Sequence, residues 1–325
     1  MKLHAPFIQL PLLFDADVLA AEVAAIEESA WRPHPQGFAG NSMLPLVAVH
    51  GDAANEAFAG PMAPTPELQR CPQLQQVLAA LQATVGRTRL MRLAGQSEVT
   101  RHVDQGYYWT ERVRVHVPIV TQPTVRFECG DAAINMAAGE CWIFDTWRQH
   151  RVLNDASASR IHLVVDTVGG GGFWQLVAKG RTHDAPLQHW SPQSPPQRVA
   201  VVAFESRNVP AVMTPWELSA HLAFLFDEAL PHPQLPVLRQ QAARLIQLWR
   251  GLWAQHGEAA SGRASFRAAF DAFAAAVQPL SSEVVLGNQM RWFDVLMVMI
   301  ARAAVSPAES QAADANRAAA PAGRT

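Results

Sequence analysis

The chain has 325 residues, 49% of them hydrophobic, and a formal net charge of −2 at neutral pH. A chain of this length can bury one large core or two smaller ones. Its nearly balanced charge gives no indication of nucleic acid or an anionic membrane surface as a partner.

Cysteine usage and the N-terminal sequence predict a compartment. The three cysteines show no metal-binding spacing, and so sparse a set is typical of a reducing cytoplasm. Pro6, Pro11 and Asp15 interrupt any apolar core of a secretory leader, and no apolar run reaches the roughly 18 residues that a membrane span needs. We therefore expect a cytoplasmic protein without a membrane partner.

The first part of the chain, residues 1–85, predicts an N-terminal flanking segment of mixed helix and strand. Apolar residues recur at helical spacing over 15–30, with Asp15 as the expected N-cap. A strand is predicted at 44–50, and a second helix at 71–84 before Gly86.

From residue 87 the apolar period changes to two, which predicts a series of short strands. They are expected at 89–93, 98–102, 112–121, 124–129, 132–136, 141–144, 150–153 and 159–168. Turn residues such as Gly130-Asp131 and Asn154-Asp155 separate them. Eight or so strands at this spacing are typical of a jelly-roll or cupin-like barrel. The predicted fold is therefore a β-dominated α+β protein with a double-stranded β-helix core over 86–170.

The remainder of the chain predicts a connector, a helical region and a tail. Four glycines at 169–172 resemble a phosphate loop, but no Lys-Ser/Thr pair follows and no helix is predicted to start there. A Gly/Pro-rich connector is expected over 171–213. Four helices are predicted at 216–229, 236–256, 265–277 and 282–304, forming a C-terminal region over 214–305 that packs as a lid or mediates dimerisation. The segment 306–325 has no apolar period and is predicted to be disordered.

A candidate metal site lies in the strand region. His102 and Asp104 are two residues apart, which places both side chains on one face of an extended strand, and His150 follows a turn between later strands. Two imidazoles and one carboxylate are the ligand set of a mononuclear non-haem Fe(II) centre with open positions. The alternative is simple pairing of surface polar groups. A second triplet, His50-Gly51-Asp52, lacks this strand context and is not expected to bind metal.

Several cations accompany the predicted ligands. Arg160 follows His150 on the last long strand and offers a planar fork for a carboxylate, as a 2-oxoglutarate-dependent enzyme requires. Arg114 and His116 share a face of another strand and are predicted to bind the same dicarboxylate. Cations that point into a barrel are costly unless they meet an anion. Arg112 and His162 are instead expected on a solvated outer face.

The strand region resembles the aspartyl/asparaginyl β-hydroxylase family of Fe(II)/2-oxoglutarate oxygenases, which includes bacterial proline hydroxylases. The resemblance covers roughly residues 86–169 and rests on spaced blocks of sequence: Arg114-Val115-His116-Val117-Pro118-Ile119, Gly139-Glu140-Cys141-Trp142-Ile143-Phe144-Asp145, His150, Asn154-Asp155 and Arg160-Ile161-His162-Leu163-Val164-Val165-Asp166.

The resemblance implies roles for particular residues. His102 and His150 match the iron histidines, Arg160 matches the arginine that holds the distal carboxylate of 2-oxoglutarate, and Arg114 with His116 matches an Arg-x-His pair that helps to bind it. Animal aspartyl hydroxylases have glycine in place of Asp104, so the chain resembles the bacterial branch. It implies hydroxylation of an amino acid or peptidyl residue, of the Asp, Asn or Pro type, with Fe(II), 2-oxoglutarate and O₂.

Substrate identity and oligomeric state remain open at the level of sequence. The inserted aromatic residues Tyr107, Tyr108 and Trp109 follow Asp104 closely and predict either a wall of the substrate pocket or ordinary packing. A small molecule or a peptide is the expected partner. Two alternatives to an oxygenase are a cupin-type metal enzyme that does not use 2-oxoglutarate and a non-catalytic barrel that binds a small ligand.

Overall fold

The computed structural model describes residues 1–35, 37–188, 190–196 and 201–306, so the predicted tail after Ser306 lies outside the described residues. The chain divides into two compact units. Among the described residues, the first contains those within Met1–Asp104 and Glu111–Asn208, and the second contains Gln105–Thr110 and residues 209–306. The segment boundaries predicted at 85 and 170 stay a prediction.

Most strands of the first unit lie where the alternating pattern predicts them. In chain order they are β1 (Phe7–Leu13), β2 (Arg32–Pro33), β3 (Asn41–Val49), β4 (Met62–Pro64), β5 (Thr84–Leu93), β6 (Ser97–His102), β7 (Val113–Val120), β8 (Val125–Cys129), β9 (Ala132–Ile134), β10 (Glu140–Phe144), β11 (His150–Asn154), β12 (Arg160–Gly169), β13 (Arg181–Thr182) and β14 (Ala203–Phe204).

These strands form two sheets. The major sheet has the order β13-β1-β10-β7-β12-β5-β3-β2, with β4 on β3 and β14 on β5, and the minor sheet has the order β6-β11-β8-β9. From β5 to β12 the chain passes repeatedly from one sheet to the other. This winding of antiparallel strands defines a double-stranded β-helix, the jelly-roll fold expected from the sequence.

The space between the sheets is the core of the first unit. Directly opposite residues of antiparallel strands share a face, and Val164 of β12 lies opposite both His116 of β7 and Arg89 of β5. His116 packs edge-on to Phe127 of the minor sheet, with 5.2 Å between ring centroids. The row from His116 to Arg89 therefore faces the interior, where a cluster of buried apolar residues from both sheets closes the barrel.

Residues outside the central barrel strands extend the major sheet, which the alternating pattern did not predict. The buried strand β1 pairs with β10, so that Phe7 lies opposite Phe144. The short strands β13 and β14 pair with β1 and β5. The described residues within 1–85 and 171–208 thus belong to the first unit.

The helices of the first unit are short. They are α1 (Ala16–Ala24), α2 (Pro66–Gln69), α3 (Pro72–Ala80) and α5 (Gly171–Ala178), while α4 (Tyr107–Thr110) belongs to the second unit. Asp15 is the N-cap of α1, as predicted, and its carboxylate accepts from the amide of Val18 at 3.1 Å. The expectation that no helix starts in the glycine run was wrong, because α5 begins at Gly171 and buries Phe173.

The second unit is helical. Its long helices are α6 (Pro215–Glu228), α7 (Leu235–His256) and α8 (Arg263–Val277), each close to its predicted bounds. The fourth predicted helix, 282–304, was wrong in its first half. There the chain makes isolated bridges such as Val285 to Arg291, and helix begins only at α9 (Trp292–Leu296), continues as a π-helix (Met297–Ala301) and ends with α10 (Arg302–Ala304). Within the described residues, no helix has both the length and the apolar composition needed to span a membrane.

Candidate metal and anion site

The three predicted metal ligands lie together at one end of the barrel. His102 ends β6, His150 begins β11, and the two residues lie opposite each other in the minor sheet. Asp104 lies just past the end of β6, where its amide donates to the carbonyl of Thr146 at 3.1 Å. The candidate ligand atoms of the three side chains all lie within 4.8 Å of one another. Adjacent strands thus provide both histidines, and a backbone bond positions the carboxylate.

Backbone carbonyls orient both imidazoles. Nδ1 of His102 lies 2.7 Å from the carbonyl of Thr100, and Nδ1 of His150 lies 2.9 Å from the carbonyl of Arg148. A carbonyl only accepts, so each Nδ1 carries the proton and each Nε2 keeps its lone pair for a metal. Nε2 of His150 is buried without a hydrogen-bond partner. That unpaired atom is what a metal would satisfy.

Charges around the cluster favour its metal-binding protonation states. Burial by itself would raise the pKa of Asp104, but the Arg114 guanidinium and the neighbouring histidines lower that pKa to about 2. Burial, reinforced by the nearby His102, lowers the pKa of His150 to about 3. At neutral pH the site therefore offers a carboxylate and a neutral buried imidazole. The donor set of two imidazole nitrogens and one carboxylate fits Fe(II).

Arg114 joins the predicted ligand Asp104 to a second carboxylate. Its Nη1 donates to Oδ2 of Asp104 at 2.8 Å, and its Nε donates to Oδ1 of Asp166 at 3.0 Å. These bonds orient the ligand carboxylate in the way that supporting hydrogen bonds do at metal sites. The predicted cosubstrate contact of Arg114 stays a prediction.

Arg160 lies at the start of β12 and is buried, with only 3% of its surface exposed. Its Nε and Nη1 have no hydrogen-bond partner, and no carboxylate of the described residues forms an ion pair with it. Burial lowers its pKa to about 10, so the guanidinium remains charged at neutral pH. A buried cation without a counter-charge is costly, which fits a site for a bound anion.

Two buried histidines lie on the same face of the major sheet as Arg160. Nδ1 of His116 lies 3.3 Å from Nδ1 of His162, and the Nε2 atom of each ring has no partner. The expectation that His162 lies on a solvated outer face was wrong, because it is 2% exposed. Burial, together with the Arg160 charge, holds the pKa of both rings well below the usual value. Both are neutral hydrogen-bonding groups inside the barrel.

Arg112 is likewise not on an outer face, contrary to prediction. It is 4% exposed, and its Nε and Nη2 bind the buried carboxylate of Glu205 at 2.9 and 3.0 Å. Glu205 follows β14; its amide donates to the carbonyl of Val85, and its carbonyl accepts from the amide of Met62. Arg112 therefore has a structural role, tying the segment after residue 200 to the barrel.

The aromatic residues after Asp104 make their observed contacts in the second unit. The hydroxyl of Tyr107 donates to Glu217 at 2.6 Å, and its ring packs edge-on to His221. Tyr108 packs edge-on to Trp109, with 4.8 Å between ring centroids. Their part in substrate binding stays a prediction.

The second His-x-Asp triplet forms a turn, as expected. His50 is exposed with φ of 57°, and the Asp52 carboxylate accepts from the amide of Ala54 at 2.8 Å. Among the described residues, the group of three potential metal ligands that lie close together is His102, Asp104 and His150.

Comparison with known proteins finds a matching family for part of the chain. Residues 58–169 match the family model of aspartyl/asparaginyl β-hydroxylase. This match contains every predicted metal and cosubstrate residue and begins upstream of the resemblance seen in the sequence. The predicted family resemblance is thus confirmed for the double-stranded β-helix of the first unit.

A curated relative and two solved structures are also similar to this chain. L-proline cis-3-hydroxylase 1 from a Streptomyces species is 26% identical over 167 residues, which cover 47% of this chain and 54% of that protein. The chain thus spans about half the length of the curated relative it matches. A Burkholderia pseudomallei oxidoreductase of the 2OG-Fe(II) oxygenase family is 15% identical and covers 52% of this chain and 88% of its own, with a TM-score of 0.37. A Pseudomonas putida prolyl-4-hydroxylase is 16% identical, and the match covers 52% of this chain and 95% of that protein, with a TM-score of 0.34.

Sequence reasoning missed three polar residues near the site. Arg89 and Asp166 face the barrel interior from β5 and β12, and His34 precedes β3. Burial and the charges of Arg89, Arg87, Arg114 and His102 lower the pKa of His34 to about 3. The available signal was alternation, because Arg87, Arg89, Met91 and Leu93 are two residues apart. The sequence did not reveal which face of that strand is interior.

Proposed function

We propose that the protein is an Fe(II)/2-oxoglutarate-dependent dioxygenase that hydroxylates an amino acid or a peptidyl residue. The observation that carries this proposal is the combination of two features in one barrel. One is a cluster of two histidines and one aspartate, and the other is a buried guanidinium, Arg160, that lacks a counter-charge. A metal enzyme that does not use 2-oxoglutarate would have no evident need for the second feature.

His102, Asp104 and His150 would hold the iron. A site with three protein ligands would leave room at the metal for a cosubstrate. With 2-oxoglutarate and O₂, the iron supplies the chemistry that converts a C–H bond to C–OH while 2-oxoglutarate is cleaved to succinate and CO₂. The contribution of the chain is to fix the ligands and to place both organic molecules.

Arg160 would bind the distal carboxylate of 2-oxoglutarate. A charge-assisted fork with two parallel N–H donors matches a carboxylate and would satisfy the buried guanidinium. The unpaired Nε2 atoms of His116 and His162 would form hydrogen bonds with the cosubstrate. Each Nε2 would donate or accept, depending on the tautomer of its ring.

The apolar surroundings would keep water from the reacting centre. Phe144 packs edge-on to His150 at 4.9 Å between centroids, and Phe127 packs against Phe144 at 4.8 Å. Arg114 would hold the ligand carboxylate in place through its 2.8 Å bond to Asp104. Exclusion of water protects an oxidising site from side reactions.

The substrate proposal follows the relative. L-proline cis-3-hydroxylase 1 is named for L-proline, and the family model is named for aspartyl and asparaginyl residues. We therefore propose that the substrate is of the Asp, Asn or Pro type, either free or within a peptide.

The test measures succinate. The purified chain is loaded with Fe(II) and ascorbate, and 2-oxoglutarate and O₂ are added in the presence of free amino acids or short peptides. Succinate should form in an iron-dependent manner, and mass spectrometry should find a product with one added oxygen atom. Metal binding without any succinate, over all substrates and at saturating 2-oxoglutarate, would show that the barrel has a different activity.

A further inference from the structure

The buried arginines of the described residues fall into two groups. Arg87 and Arg112 are paired, with Arg87 2.8 Å from Glu56 and Arg112 2.9 Å from Glu205. Arg89 and Arg160 are buried without an ion pair to any described carboxylate. The proposed cosubstrate accounts for Arg160. Arg89 is then a second buried cation for which the described residues provide no ion-pair partner.

The surroundings of Arg89 confirm that its charge is uncompensated by direct contact. Its Nε has no hydrogen-bond partner, and its Nη1 lies 4.0 Å from the sulfur of Met43, a weak acceptor. Burial and the nearby Arg87 and Arg114 lower its pKa to about 9, which leaves it protonated at neutral pH. The carboxylates of Asp166 and Glu56 act on it from a distance, since each binds another arginine.

Strand register places Arg89 on the same sheet face as an acceptor that has no hydrogen-bond partner. Arg89 lies opposite Val164, and Asp166 is two residues further along the same face of β12. Oδ1 of Asp166 accepts from Arg114, but its Oδ2 is buried without a partner. Arg114 also binds the predicted metal ligand Asp104. An unpaired donor, Nε of Arg89, and an unpaired acceptor, Oδ2 of Asp166, thus lie on neighbouring strands. Arg114 links the acceptor's carboxylate to the candidate metal ligand Asp104.

We propose that Arg89 binds the carboxylate, and Oδ2 of Asp166 the ammonium group, of a free α-amino acid substrate. This inference rests on the proposed oxygenase function and narrows its substrate class. A free amino acid carries both charges a few atoms apart, and together they satisfy both buried groups. A residue inside a peptide carries neither charge at its α-carbon and would leave both groups unpaired.

The first experiment needs no variant. Calorimetry under anaerobic conditions titrates the protein, loaded with Fe(II) and 2-oxoglutarate, with each proteinogenic amino acid, its α-amide and its N-acetyl derivative. At least one free amino acid should bind, and its amide and N-acetyl derivative should bind about 30-fold more weakly or worse, as expected when a buried charge loses its partner. If no free amino acid binds, or if the amide binds as tightly as the acid, the inference is wrong.

The second experiment changes Arg89. Arg89→Met should weaken binding of that amino acid about 30-fold or more and leave the affinity for 2-oxoglutarate unchanged. Arg89→Lys should recover part of the loss, and it carries the test if the methionine variant does not fold. The matched control is Arg92→Met on the opposite face of β5, where Arg92 binds Ser42 and Glu28 near the surface, and no change in affinity is expected.

The outcomes separate this inference from the proposed function. If Arg89→Met binds the amino acid as tightly as the parent does, Arg89 does not have the proposed role. The oxygenase proposal would still stand, because the parent would still form succinate. Hydroxylation of an internal peptide residue in preference to free amino acids would overturn the substrate class alone. Failure of the parent to form any succinate from 2-oxoglutarate would instead overturn the oxygenase proposal.

Discussion

The two sheets of the barrel carry different kinds of polar groups. The minor sheet provides the candidate iron histidines, His102 and His150, and their Nδ1 atoms are satisfied by nearby carbonyls. The major sheet provides Arg160 and Arg89, whose guanidinium groups are only partly satisfied. Under the proposed function, the minor sheet would hold the metal and the major sheet would bind the organic anions. Substitutions in the two sheets should therefore have separable effects.

The largest effect is expected in the minor sheet. His150→Ala removes a ligand whose Nε2 has no other partner, so Fe(II) binding and succinate formation should both be lost. Iron content measured anaerobically checks the first, and cleavage of 2-oxoglutarate checks the second. Asp104→Ala should weaken iron binding severely but leave some, because two imidazoles remain. Normal iron stoichiometry in His150→Ala would refute the assignment.

A buried arginine with a structural role sharpens the comparison. Arg112→Met leaves the buried Glu205 carboxylate unpaired and should lower the free energy of unfolding by about 3–5 kcal/mol. Chemical denaturation measures this loss. The affinity of the folded protein for 2-oxoglutarate should be unchanged, because the Arg112 guanidinium already donates to the Glu205 carboxylate. A change in that affinity without loss of stability would assign Arg112 to the site.

Arg160 should behave in the opposite way. Arg160→Met should raise the KM for 2-oxoglutarate by one or more orders of magnitude, because losing a buried charge-assisted pair costs about 2–5 kcal/mol. Stability of the cosubstrate-free protein should rise or stay constant, since an unpaired buried charge is removed. Arg160→Lys should recover only part of the affinity. An unchanged KM in the methionine variant would mean that another cation binds the cosubstrate.

The smallest effect concerns pH and the neutral histidines. Burial holds the folded-state pKa of His162 well below its unfolded value of about 6.5, so the unfolded chain binds the extra proton first. The contribution of neutral His162 to the free energy of unfolding is fully present above about pH 6.5, and it declines as the pH falls below that value. His162→Asn should reduce the pH slope of the unfolding free energy, between about pH 5 and 6, by about 1.4 kcal/mol per pH unit. An equal slope in both proteins would mean that His162 takes up its proton when folded.

The sequence alone predicted the barrel and singled out the candidate metal ligands. Alternating strands over 86–170 and three long helices were predicted close to their observed bounds, because local periodicity reports directly which face of a strand or helix is apolar. His102, Asp104, His150 and Arg160 could be singled out as candidates for a similar reason, since their spacing and chemistry are local properties of the chain. The family match over 58–169 agrees with that prediction.

Tertiary structure decided which polar residues face the interior. When a strand has polar residues on both faces, its sequence does not reveal which face is buried. Arg112 and His162 were therefore wrongly predicted to face solvent, and Arg89 was not singled out. The ion pair between Arg112 and Glu205 joins residues 93 positions apart, which no local pattern predicts. The absence of such a partner at Arg89 is likewise visible only after the sheets have folded, because compensation of a buried charge depends on contacts between distant strands.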